Sequence, residues 1–80
     1  MRLLTKKKQN EALKRILANS IIAWDAVMKF EDKEKIIDAC NHIQNNLADA
    51  AYFIGGKDSM IAVGEAFVNY ISKELSLIHI

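Results

Sequence analysis

Gly55-Gly56-Lys57-Asp58-Ser59 is the stretch that decides the architecture. It holds the chain's one glycine pair, and the 80 residues contain no proline at all. Glycine reaches backbone conformations that end helices. Asp58 and Ser59 are both residue types that cap a helix start. The stretch therefore reads as a break between two helices, and it places helix-start N–H groups beside the Lys57 ammonium, where an anion could sit.

Working outward, apolar residues recur at helical spacing on both sides. Upstream, Ile36, Cys40, Ile43, Leu47, Ala50 and Ile54 alternate steps of four and three, a coiled-coil-like seam. Downstream, Met60, Val63, Phe67 and Ile71 form a second stripe, with Gly64 beside it as a place for close helix approach. Near the N-terminus, Thr5 can cap a helix whose stripe is Leu13, Ile16, Leu17, Ser20, Trp24, Val27 and Met28. The polar segment Glu31-Asp32-Lys33-Glu34 separates it from the next, which Asp32 or Glu31 opens. No strand alternation, internal repeat or low-complexity tract is present. The spacing predicts an all-α fold, a three-helix bundle with helices near 5–30, 33–54 and 59–75, in one domain over residues 1–80.

Eighty residues bury a modest core. Cys40 is the single cysteine, so no disulfide reinforces it. Hydrophobic residues nevertheless make up 51% of the chain. Ile22 lies off the main stripe with Ala18 and Ala26 one turn away on either side. That surplus predicts a homo-oligomer, most simply a two-fold dimer. No apolar run is long enough to span a bilayer and no leader follows Met1, so a soluble cytoplasmic protein without membrane contact is expected. The last six residues, Leu75-Ser76-Leu77-Ile78-His79-Ile80, resemble a translated sequencing-adapter end. They are read as a non-native tail, and His79 is given no functional weight.

The formal net charge of +1 hides an asymmetry. Residues 1–15 hold six basic side chains against Glu11, a net of +5, whereas residues 16–80 hold five basic and nine acidic, a net of −4. A basic arm on an acidic body can take phosphate or pair with a second subunit. The candidate ligand-binding residues are Gly56, Lys57 and Ser59 at the helix start, Lys6, Lys7 and Lys8 from the arm, and the aromatic Tyr52, with Phe53 beside it, for stacking on a base. Gly-Lys followed by Ser is not a P-loop, because the glycine spacing and the preceding strand are missing.

Other polar groups offer less. Asp38, His42 and Asp49 share the polar face of the second helix, with Asn41, Asn45 and Tyr52. That strip has no metal-ligand motif and suits a partner contact better than catalysis. Ser20 reads as bonded to its own backbone, and Cys40 as a small buried apolar residue. With so few catalytic groups the chain reads as a non-enzyme without metal or cofactor. The function expected is a self-associating helical binding protein that sequesters an anionic small molecule such as a nucleotide, in the manner of a phage or mobile-element counter-defence accessory. An inhibitor or adaptor that docks an exposed helix face on a host protein is the alternative. A nucleic-acid regulator using the lysine arm is a third, weakened by the near-neutral total charge.

Overall fold

The computed structural model describes residues 5–30 and 32–78, together with the side chains of these residues other than 30, 33 and 75–78. It is an all-α helical hairpin of two helices, α1 (Lys6–Phe30) and α2 (Lys33–Ile78). This corrects the expectation of a three-helix bundle with helices at 5–30, 33–54 and 59–75. No third helix begins after the glycines, because α2 runs through them as one element of 46 residues. Asp58 and Ser59, expected as caps of a new helix, lie inside α2. The reading as one domain and the reading of 75–80 as a tail have no bearing on these elements, and residues 79–80 lie outside those described.

The physical reason lies in one residue. Gly56 has φ 85° and ψ −166°, the only non-helical backbone inside α2. That combination is open to glycine almost alone. It redirects the chain at a single position, so no loop is needed. A straight helix of this length would extend roughly 69 Å, whereas the molecule's longest dimension is 44 Å. The helix is therefore sharply bent, and its first limb (33–55) and second limb (57–78) face one another across a shared groove. Gly55 keeps the bend tight. A Cβ there would collide with Ser59 Oγ and come within 2.9 Å of Ser59 Cβ.

The helix starts follow the sequence. The Lys8 N–H donates to Thr5 Oγ1 at 3.2 Å and the Gln9 N–H to the Thr5 carbonyl at 2.8 Å, so Thr5 caps α1. The Ile36 N–H donates to the Asp32 carbonyl at 2.9 Å, opening α2 at Asp32.

The core is small: Trp24 from α1, Leu47 and Ala51 from the first limb, and Val63, Phe67 and Ile71 from the second. Leu13, Ile16, Leu17, Ile21, Met28, Ile36, Cys40, Ile43, Met60 and Tyr70 pack around it, half-buried. The Trp24 and Phe67 rings meet edge to face, centroids 6.5 Å apart at 83°, a geometry that adds to their burial. Trp24 Nε1 is buried with no acceptor among the described residues. The surrounding contacts offset that desolvation, whose cost is about 1–3 kcal/mol. Ser20 Oγ donates to the Ile16 carbonyl at 2.9 Å, satisfying the stripe's one hydroxyl within its own helix.

Candidate functional site

Two regions collect the residues singled out above, a lysine-rich pole and an apolar groove. The pole forms because α1 and the second limb begin at the same end of the hairpin. Leu13 Cδ1 lies 3.7 Å from where a Gly55 Cβ would be, which fixes the start of α1 beside the bend. Lys6 is seven residues before Leu13, about 10 Å along the axis and on the same helix face. Lys6, Lys7, Lys8 and Lys57 are all exposed. The start of α1 therefore lies on the side of the hairpin where α2 bends. α1 has no acidic residue in its first turn. Its three lysines stand at the positive end of the helix dipole, an unfavourable placement that an anion would relieve. Gly56 and Ser59 are half-buried, and Ser59 is held against Gly55.

Tyr52 is 58% and Phe53 71% exposed. They are neighbours in sequence and so point about 100° apart around the helix. Tyr52 follows Gln44 and Ala48 along the groove side, whereas Phe53 lies away from it.

The groove runs between the limbs of α2, with a volume of about 500 Å³. Ala48 and Gly64 lie in it, Ile61 and Val68 are each 45% exposed at its margin, and Gln44 and Glu65 supply polar contacts. No heavy atom comes within 4 Å of a Cβ position at Gly64, so its missing side chain is open space rather than a close helix contact within the chain. Ile37 lies on the same helical line as Asn41, Gln44, Ala48 and Tyr52, and is 64% exposed. The sequence stripes marked Leu47, Met60 and Phe67 of its lining, with Gly64 beside them, but not the exposed Ile61, Glu65 and Val68.

A polar cluster absent from the sequence reading lies at the far end. The Tyr70 hydroxyl donates to both Asp25 carboxylate oxygens at 3.3 Å, linking α1 to α2. Its pKa is pushed up to about 12, first by hydrogen bonding with Glu74 one turn further along, then by partial burial and the negative charge of Asp25. Both carboxylates disfavour a phenolate. The proton is held more tightly in the folded state, so this contribution to stability is complete below pH 10 and is lost as pH rises through about 12. Tyr52 and Tyr70 are the only tyrosines. A Tyr52→Phe variant therefore isolates Tyr70, and its tyrosinate absorbance should titrate near pH 12, moving lower in Glu74→Gln. A midpoint near 10 in the folded variant would break the assignment.

Burial raises the Cys40 thiol pKa, and Gln44 Nε2 approaches Cys40 Sγ at 3.6 Å. This is an unreactive setting. Asp38, His42 and Asp49 are exposed, and among the described residues no group of three or more His, Cys, Asp or Glu could hold a metal ion. No described helix is long and apolar enough to cross a membrane. No family model matches the chain, and no curated protein or solved structure matches it either.

Proposed function

We propose that this chain is a small, self-associating helical binding protein that takes an anionic group, a nucleotide or a simpler phosphate, at its lysine-rich pole. What supports the reading is the run of exposed lysines Lys6, Lys7 and Lys8 at the start of α1, the helix whose Leu13 lies beside the Gly55 bend. Helix-start N–H groups and a dipole of matching sign favour an anion there. The lysines add positive charge at this end of α1. Gly56 and Ser59 contribute backbone and hydroxyl donors.

Equilibrium dialysis against a nucleoside triphosphate and against inorganic phosphate tests this, at low and at physiological salt. Binding should weaken as salt rises. Replacing Lys6, Lys7 and Lys8 together by Gln should weaken it about tenfold or more, with helicity unchanged. Retention of parent affinity by that triple variant, or no binding by the parent at low salt, would reject the anion reading. A contact with an unlike protein, such as a host protein, is the second reading, and the exposed apolar groove favours it.

A further inference from the structure

Among the described residues, the exposed Ile61 and Val68 line the groove from the second limb of α2, and the exposed Ile37 and Tyr52 lie on the helical line of the first limb that carries Gln44 and Ala48 of its lining. Glu65 is the one charged residue that lines the groove between them. A small domain seldom leaves such a face open to water.

We propose that this face is closed by a second copy of the chain, the second limbs of the two copies crossing antiparallel about a two-fold axis at Ile61. This rests on the self-association in the reading above and names its surface. The argument for a like partner is charge register. Lys57, Ile61 and Glu65 are spaced four apart, so they form one line along the limb, and all three are exposed. In an antiparallel pair related by a two-fold at Ile61, residue 61+n of one copy faces residue 61−n of the other. Ile61 then meets its own copy, Lys57 faces Glu65 of the second copy, and Glu65 faces its Lys57. One apolar contact is flanked by two identical ion pairs, the self-complementarity that a closed dimer requires. The parallel arrangement would set Lys57 against Lys57 and Glu65 against Glu65. The charges therefore select antiparallel pairing, and salt should loosen it. Gly64, with open space where its side chain would stand, lets the second backbone come close.

Sedimentation equilibrium on the full chain decides it. The parent should be dimeric. Ile61→Asp should be monomeric with the parent's circular dichroism, since Ile61 is not in the buried core. Lys57→Glu should weaken the dimer about tenfold, because two attractions become two repulsions. Adding Glu65→Lys to it should restore association to within about threefold of the parent. On a Cys40→Ser background, Ile61→Cys should form a disulfide-linked dimer under mild oxidation, as the two-fold sets the thiols opposite one another. A dimeric Ile61→Asp would overturn this surface while leaving self-association standing. Failure of the charge swap to restore the dimer would overturn the register. A monomeric parent would overturn both the surface and the self-association, and would leave the groove to an unlike protein.

Discussion

Phe67→Ala is expected to remove most of the protein's stability. Phe67 is fully buried and its ring holds the edge of Trp24 from α1. It also borders the groove wall where the two limbs of α2 meet. Truncating a buried phenylalanine costs about 3–5 kcal/mol, part lost transfer energy and part cavity. A domain of this size has on the order of 4–12 kcal/mol in total, and the small core found among the described residues places it toward the lower end. Urea melts followed by circular dichroism should show the midpoint collapsing for Phe67→Ala. Phe67→Leu, which keeps most of the volume, should cost far less. A Phe67→Ala variant within about 1 kcal/mol of the parent would mean that the limbs do not meet as described.

The second large effect is expected at Gly56, and its origin is torsional. Nothing lies within 4 Å of a Cβ built there, so an alanine meets no clash. It meets instead a φ of 85° with ψ −166°, which L-residues hold only at a cost of about 1–3 kcal/mol. Gly56→Ala should therefore lower the thermal midpoint by roughly 4–8 °C for each kcal/mol lost. A D-alanine introduced by chemical synthesis should be tolerated or mildly stabilising, because the mirror of this conformation is ordinary extended backbone. Gly55 gives the contrast. Its alanine variant strikes Ser59, so Ser59→Gly should relieve Gly55→Ala and leave Gly56→Ala unrelieved. Equal effects of L- and D-alanine at position 56 would contradict the bend.

These two positions also show what was legible in the sequence. Phe67, with Val63 and Ile71, lies on a stripe of period 3.6 and is buried as that spacing requires. Trp24 and Leu47 follow from the same reasoning. The glycine pair correctly marks where the chain changes direction. It cannot distinguish a loop followed by a new helix from a helix that bends at one residue, since Asp58 and Ser59 have the same composition either way. Ala51 was missed in favour of Ala50. The seam was drawn for a helix with one neighbour, whereas the first limb packs against both α1 and the second limb, which turns its buried centre toward Ala51. The contact of Tyr70 with Asp25 spans 45 residues and leaves no local trace. For the candidate site, the lysines were visible as a charge imbalance. Which end of α1 meets the bend is a property of packing, shown by Leu13 against Gly55.

The unpaired indole of Trp24 has an optical consequence. It is the chain's only tryptophan, and its N–H is buried with no acceptor among the described residues. An excited indole shifts its emission to the red when water reorients around it, and this ring is shielded from water. The protein therefore carries a built-in fluorophore at the junction of α1 and α2, blue while the junction is dry. Undocking of α1 would be readable in a single spectral band without any added label.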